Sequence, residues 1–301
     1  MNNTFFLRKG NAFAEIADPL AGEPYYRGTR FDRTGIILSL ESCGHSFVRP
    51  WFLRYDPFMH DAVSGPSEEF TQIGYESAAA GEEFLKLGVG RLVRDGEPYD
   101  RFNPYKVADA GKMTVERSAS SAVFRHELGG TCDYVKTVEL LDETTLKISH
   151  SLRNCGNQPL EFHVYSHNFF ILDGAFTGRD TRFSFPFRPE GDWRSPYDSV
   201  ALTENGIEFS RDLNPGESVF MGNLKAATPL LGRDFPDTPF SFRLSNAASG
   251  LSVLGSCDRA MEYAVFWSNH EVACLEPYVP MRIMPAGTAS WTLTYRFFGS
   301  K

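Results

Sequence analysis

The 301-residue chain lacks the features that mark nucleic-acid-binding and membrane proteins. Its formal net charge is −8, and no run of Lys and Arg is long enough to neutralise a series of phosphates. No segment approaches the ~20 apolar residues that a membrane span needs, and the apolar run Phe5 to Leu7 is far shorter than the core of a signal peptide. We therefore expect a cytoplasmic protein with neither nucleic acid nor a membrane as its partner.

Cysteines are few and carry no metal-binding or redox motif. The five cysteines are odd in number and widely separated, and no two form a CxxC pair. This pattern is typical of reduced thiols and predicts neither a disulfide framework nor a cysteine-based zinc site.

Stretches with helical periodicity are also lacking, whereas aromatic residues are plentiful. Aromatic residues make up 14% of the chain and hydrophobic residues 42%, which is ample for a large core. Roughly eighteen short segments alternate apolar and polar residues between turn signals, without a fixed-length repeat. The sequence therefore predicts an all-β protein, a single domain over residues 1–301 built from large, mostly antiparallel sheets.

The stretch 161–174, EFHVYSHNFFILDG, holds the first candidate functional residues. In an extended strand, alternate residues from His163 to His167 share one face, and those from Phe162 to Ser166 share the other. Polar aromatic residues on one face and mainly apolar residues on the other predict a sheet surface that lines a pocket.

A second stretch, VACLEPY over residues 272–278, contains one carboxylate among mainly apolar residues. That carboxylate, Glu276, stands just before Pro277, which ends the predicted strand. A histidine and a glutamate, each at the end of a mostly apolar strand, form a plausible acid/base pair.

Two earlier regions carry further polar residues. Arg30 and Asp32 lie on one face of a predicted strand within residues 25–40, and we interpret them as a structural ion pair. Residues 43–90 have no clear period and are expected to fold over one mouth of the sheets. The side chains in that region that could reach a ligand are Trp51, Tyr55, Phe58, His60 and Glu69.

Four short runs together resemble a known family. These are LRNCGNQPLEF, HNFFILDG, VACLEPY and the closing MPAGTASWTLTYRF, which includes Pro285 and Gly287. The order of these runs resembles the aldose 1-epimerase (galactose mutarotase) superfamily, whose members share a β-supersandwich. The resemblance implies that His167 is the catalytic acid and Glu276 the catalytic base. Acid/base chemistry of this kind requires no metal or organic cofactor.

The chemistry of anomer interconversion is consistent with these two residues. One group must remove a proton from the anomeric hydroxyl while another delivers a proton to the ring oxygen. We expect the two groups to face each other across a sugar or sugar phosphate, with their functional atoms roughly 5–9 Å apart. The candidate substrate-binding residues, which offer an aromatic platform or hydrogen bonds, are Arg91, Asn168, Tyr165, Phe169 and His60.

Two alternatives stay open at this stage. The family's His-Gly-Phe-x-Arg run has its nearest match in residues 87–91, where Leu87 replaces the histidine, so a non-catalytic carbohydrate-binding protein is possible. A cupin-like metal enzyme would use His163 and His167, but in a straight strand these lie about 13 Å apart, too far to share an ion.

Overall fold

The computed structural model describes residues 3–230 and 234–299, and these residues form 23 β-strands. Among them, no helix is long and apolar enough to cross a lipid bilayer. The predicted domain boundaries at residues 1 and 301 lie outside the described residues. In chain order the strands are β1 (Thr4–Lys9), β2 (Ala12–Ala17), β3 (Ile37–Ser42), β4 (His45–Val48), β5 (Ser67–Phe70), β6 (Glu83–Lys86), β7 (Gly90–Val93), β8 (Val107–Asp109), β9 (Lys112–Arg117), β10 (Ser121–Leu128), β11 (Cys132–Asp142), β12 (Thr145–Asn154), β13 (Leu160–His167), β14 (Thr181–Ser184), β15 (Phe187–Trp193), β16 (Val200–Thr203), β17 (Gly206–Phe209), β18 (Ser218–Pro229), β19 (Phe240–Asn246), β20 (Leu251–Cys257), β21 (Tyr263–Asn269), β22 (Ala273–Ile283) and β23 (Thr288–Phe298).

Two large sheets dominate the architecture. The ten-stranded sheet has the order β16-β17-β14-β19-β20-β23-β12-β11-β10-β9, and the six-stranded sheet has the order β15-β18-β21-β22-β13-β5. A four-stranded sheet, β1 to β4, and a three-stranded sheet, β6 to β8, complete the described strands. The strand pairs are antiparallel, which confirms the predicted all-β fold of large antiparallel sheets.

Aromatic residues join the two large sheets through a shared core. The ring of Phe70 on β5 lies 5.6 Å from Tyr134 on β11 and 6.2 Å from Trp291 on β23. Each aromatic side chain buries roughly 150–250 Å², so such contacts account for much of the hydrophobic stabilisation. The apolar face of the six-stranded sheet therefore packs against the ten-stranded sheet. Its opposite face is left free to form a functional site.

The predicted alternation of β13 is confirmed. Phe162 and Val164 belong to the core between the sheets, and the Ser166 hydroxyl lies 3.3 Å from the Tyr295 hydroxyl on β23. Tyr165 and His167 project from the opposite face of the sheet, because side chains alternate along a strand.

Strand β5 was not predicted, and its four residues, SEEF, are all buried. Two consecutive glutamates are more typical of an exposed loop, since charged side chains are rarely buried without a partner. Both carboxylates are buried here because cations and histidines from distant parts of the chain surround them. The prediction that residues 43–90 lack regular structure is wrong, since β4, β5 and β6 all lie within them.

Two further strand predictions differ from the structure. β22 continues through Pro277 and Pro280 to Ile283, although proline removes a hydrogen-bond donor from the ladder. Residues 25–40 contain only the start of β3 and an isolated bridge between Phe31 and Glu69, so the strand predicted to carry Arg30 and Asp32 does not form.

Candidate active site

The register of the six-stranded sheet brings the distant candidate residues together. Tyr278 on β22 pairs with Tyr165 on β13 and with Tyr263 on β21. His167 lies two residues after Tyr165 on β13, and Glu276 lies two residues before Tyr278 on the antiparallel β22. Both side chains therefore lie on the same face of the sheet as the two tyrosines. Residues more than a hundred positions apart in sequence thus become neighbours on one sheet surface.

This surface forms the floor of a cavity of about 680 Å³, within the range of small-molecule sites. The walls come mostly from the loops that precede β3, β5 and β8, together with Phe220 on β18 and Arg194 just after β15. The lining residues are Arg30, Phe31, Trp51, His60, Asp61, Arg101, Phe102, His167, Phe169, Arg194, Phe220, Tyr263, Val265, Trp267, Glu276 and Tyr278.

His167 lies between two carboxylates. Its Nδ1 is 3.0 Å from Oε1 of Glu276, and its Nε2 is 3.1 Å from Oε2 of Glu69. The imidazole is 1% exposed and the Glu276 side chain 9%, so the pair touches the cavity but is shielded from bulk water. Contacts at both nitrogens fix the orientation of the ring.

Glu69 is the centre of a buried ionic cluster behind His167. Its carboxylate is 2.8 Å from Nε of Arg30 and 3.3 Å from Nζ of Lys86. Burial opposes ionisation of Glu69, but Arg30, Lys86 and His167 outweigh it and hold the pKa of Glu69 well below its usual value. Burial also lowers the pKa of Lys86 to about 8, although Glu69 favours the charged form.

The neighbouring Glu68 points to the opposite face of the sheet and joins a second network in the core. Its carboxylate contacts Nζ of Lys136 and lies 3.0 Å from Nε2 of His150. Lys136 also lies 3.3 Å from Asp32. Burial raises the pKa of Glu68, but Lys136 and His150 outweigh this and lower it to about 2. Consecutive glutamates thus anchor β5 from both of its faces.

The expected 5–9 Å between the functional atoms of His167 and Glu276 is wrong, since the observed distance is 3.0 Å. A separation of roughly 5–9 Å suits glycosidases, whose two carboxyl groups lie on either side of the scissile bond. In anomer interconversion the two oxygens that exchange protons are bonded to the same carbon. An acid and a base that act on them can therefore lie side by side.

Three predicted substrate-binding residues lie at or next to the cavity. Phe169 and His60 line it, and the Phe169 ring centroid is 5.2 Å from that of Trp51. Tyr165 is buried against Tyr278, with ring centroids 3.9 Å apart, and lies behind the lining residues.

The other two predicted substrate-binding residues do not line the cavity. Asn168 is buried and donates to the carbonyl of Leu275, which ties the end of β13 to β22. Arg91 on β7 pairs with Glu83 and Asp109 in the three-stranded sheet, at 3.1 Å and 2.6 Å. Arg91 was predicted to bind substrate because it matches the arginine of the family run. It lies outside the cavity because β7 belongs to the three-stranded sheet and not to the six-stranded sheet.

Arg30 and Asp32 do not pair with each other. Arg30 pairs with Glu69 at the cavity, and Asp32 pairs with Lys136 in the core. The interpretation as a structural ion pair is therefore wrong, since the segment is not a regular strand there. Arg30 is a cavity residue that sequence reasoning missed.

Leu87 does not face the cavity and is 1% exposed within the main hydrophobic core. Its neighbour Lys86 contacts Glu69, on the far side of His167 from Glu276. The leucine thus creates no vacant position beside the acid/base pair.

Arg101, Trp267 and Tyr278 were also missed as cavity residues. For Tyr278 a signal was present, because it stands two residues after Glu276 and so shares its strand face. Arg101 comes from a loop whose position depends on tertiary contacts with Tyr165 and Tyr278.

Three side chains at the floor of the cavity have metal-ligating atoms close together. The ligand atoms of His167, Cys274 and Glu276 lie within 4.8 Å of one another. Burial and the nearby Glu276 raise the pKa of the Cys274 thiol well above its usual value, and its Sγ donates to Oε1 of Glu276 at 3.8 Å. Arg30 and Lys86 add positive charge nearby, which opposes the binding of a cation by these three residues.

The predicted metal alternative with His163 is not supported by this geometry. Nε2 of His163 lies 2.6 Å from Glu262, and His163 is not among the residues that line the cavity.

Among the comparisons with known proteins, only the comparison with solved structures finds similar proteins. The sequence matches no family model, and the search of curated proteins gives no match. A galactose mutarotase related enzyme from Lactobacillus acidophilus is similar in structure, with a TM-score of 0.58 and 14% identity over 99% of this chain and 98% of that one.

Two further solved structures are similar over nearly their whole length. A galactose mutarotase-like protein from Clostridium acetobutylicum has a TM-score of 0.55 and 13% identity over 99% of this chain and 95% of that one. A GalM/aldose epimerase homologue from C. elegans has a TM-score of 0.50 and 12% identity over 99% and 100%. The chain therefore has the galactose mutarotase-like fold.

Proposed function

We propose that this protein interconverts the α and β anomers of a sugar by acid/base catalysis, with His167 and Glu276 as the proton-transfer pair. The observation that carries the proposal is the 3.0 Å contact between Nδ1 of His167 and Oε1 of Glu276 at the floor of the cavity. The structural likeness to mutarotase-like proteins supports the same assignment.

In the proposed reaction the sugar replaces the direct contact between the two side chains. The Glu276 carboxylate accepts the proton of the anomeric hydroxyl, while Nδ1–H of His167 donates to the ring oxygen. The bond between the ring oxygen and the anomeric carbon breaks, and the open-chain aldehyde forms. Rotation of the aldehyde and reversal of both proton transfers close the ring with the other configuration.

Glu69 acts as a positioning residue in this scheme. It accepts a hydrogen bond from Nε2 of His167, which directs Nδ1 towards Glu276 and the cavity. Because Arg30 and Lys86 keep Glu69 ionised, its carboxylate can hold Nε2–H of His167 while Nδ1–H donates to the ring oxygen.

The side walls of the cavity offer surfaces for the ring of a sugar. Trp51, Trp267 and Phe169 form an aromatic group whose successive ring centroids lie 5.2–6.5 Å apart. Apolar faces of a sugar pack well on such rings, while hydroxyl groups need the polar residues on the floor.

The test is anomer exchange, measured by NMR on a panel of free and phosphorylated aldoses with wild-type protein, His167→Ala and Glu276→Gln. Each variant should lower the exchange rate by roughly a hundredfold or more, because each removes one proton-transfer partner. His163→Ala and Glu262→Gln are matched controls, since this second histidine–glutamate pair lies outside the cavity lining. Both controls should keep the wild-type rate.

The same experiment tests the alternative of a carbohydrate-binding protein. If wild-type protein binds sugars but gives no rate above buffer on any of them, the catalytic proposal is wrong. The direct contact between His167 and Glu276 would then be a structural ion pair.

A further inference from the structure

Arg101 presents to the cavity a positive charge that is held by two tyrosine hydroxyls rather than by an ion pair. The side chain lines the cavity and is half-buried, and its Nη1 donates to the hydroxyls of Tyr165 and Tyr278, at 3.2 Å each. Among the residues that the structure describes, Arg101 has no carboxylate within ion-pair distance. Phenol hydroxyls orient the guanidinium but carry no charge at neutral pH.

Other cations next to the floor of the cavity are neutralised internally. Arg30 and Lys86 share the carboxylate of Glu69. The whole chain carries 38 acidic and 30 basic residues, so carboxylates are abundant. A partly buried guanidinium without one is therefore unusual, because shielding from water makes an unpaired charge costly.

The position of Arg101 relative to the acid/base pair matches the span of one sugar ring. Its two anchors, Tyr165 and Tyr278, each stand two residues from His167 or Glu276 on the same strands. Two residues of an antiparallel strand span about 7 Å. A sugar whose anomeric carbon lies at His167 and Glu276 would direct its opposite end towards Arg101.

We propose that the substrate of this site is an anionic sugar, and that Arg101 binds its carboxylate or phosphate group. Arginine suits this role because its planar donors can bind two oxygens of either anion at once. This inference rests on the proposed function, since it uses the same cavity.

A second arginine in the cavity provides a matched control. Arg194 lines the same cavity, but it is exposed, and its guanidinium carbon lies 3.9 Å above the ring centroid of Phe220. It has no pair of hydroxyl anchors like those of Arg101. Arg194→Gln therefore removes an equal charge from the cavity without removing the oriented donor.

The experiment compares glucose, glucose 6-phosphate and glucuronate as substrates for wild-type protein, Arg101→Gln and Arg194→Gln. At least one anionic sugar should exceed glucose in kcat/KM by about tenfold or more, because a charge-assisted bond is added. Arg101→Gln should remove that advantage, so that kcat/KM for the anionic sugar falls about tenfold more than kcat/KM for glucose, while Arg194→Gln should keep most of the advantage. Preference for glucose 6-phosphate or for glucuronate decides between a phosphate and a carboxylate.

Two results would overturn the inference. One is a wild-type preference for glucose over both anionic sugars, and the other is an equal loss in the Arg101 and Arg194 variants. If no sugar is turned over, the proposed function fails, and binding still tests the inference through the fluorescence of Trp51 and Trp267 in the cavity. Tighter binding of an anionic sugar that Arg101→Gln abolishes would support the anion site, and equal binding of all three sugars would refute it.

Discussion

Replacement of Glu69 by glutamine should destabilise the protein more than replacement of any surface glutamate by glutamine. The Glu69 side chain is 1% exposed and lies within 3.3 Å of Arg30, Lys86 and His167. Glu69→Gln keeps the shape of the side chain but leaves positive charges buried without their counterion. Loss of one partner from a buried ion pair typically costs about 3–5 kcal/mol, a large share of the 5–15 kcal/mol that stabilises a typical domain.

The double variant Glu69→Gln/Lys86→Met tests whether buried charge is the cause. Lys86 is 1% exposed, whereas Arg30 is 12% exposed and borders the cavity, so Lys86 bears most of the cost of losing its counterion. Methionine has a similar length and no charge, and the double variant should recover at least about 1 kcal/mol of the loss. Anomer exchange should stay at least about tenfold below wild type in both variants, since Nε2 of His167 has lost its charged acceptor.

Urea unfolding followed by tryptophan fluorescence measures the free energies of unfolding. Glu83→Gln is the control, because its ion pair with Arg91 is about half exposed and is expected to contribute about 1 kcal/mol or less. A Glu69→Gln loss no larger than that of Glu83→Gln would refute the reasoning. So would a double variant that is no more stable than the single one.

Two further predictions concern stability. The folded-state pKa of Glu68 is about 2 against a usual 4.5, so its contribution of about 3 kcal/mol is fully present above pH 4.5 and is lost as the pH falls towards 2. As the pH is lowered, the free energy of unfolding should therefore fall less steeply in Glu68→Gln than in wild type. The control Glu190→Gln, at an exposed position, should follow wild type. Parallel curves for Glu68→Gln and wild type would contradict this prediction. Leu87→His should reduce stability by roughly 2–5 kcal/mol without raising the rate of anomer exchange, because it buries a polar ring in the core. The control Leu20→His, at an exposed position, should change stability by about 0.5 kcal/mol or less. A faster Leu87→His enzyme would show that this position does contribute to the site.

The strands of the large sheets could be predicted because their sequences alternate. The alternation predicts strands over residues 122–128, 131–141 and 145–153, and β10, β11 and β12 begin and end within one residue of these segments, since one face packs in the core and the other does not. The face shared by Tyr165 and His167 followed from the same period.

The ionic parts of the site could not be predicted from the sequence. Glu68 and Glu69 are buried only because Lys136, Arg30 and Lys86 reach them from segments that lie far away in the chain. No local pattern identifies such partners, because the period of a strand says which face a residue occupies but not what lies opposite. The close approach at the end of β13 is equally non-local: a Cβ on Gly65 would lie 2.4 Å from the carbonyl oxygen of His167.

The most direct test of the central claim is a crystal structure of Glu276→Gln with a bound aldose. Glutamine cannot accept the anomeric proton, so the sugar should remain unreacted in the cavity while the site keeps its shape. We predict that the ring oxygen lies within hydrogen-bond distance of Nδ1 of His167 and that the anomeric oxygen lies against the side chain at position 276. A sugar bound in the cavity with its anomeric carbon away from both residues would contradict the account.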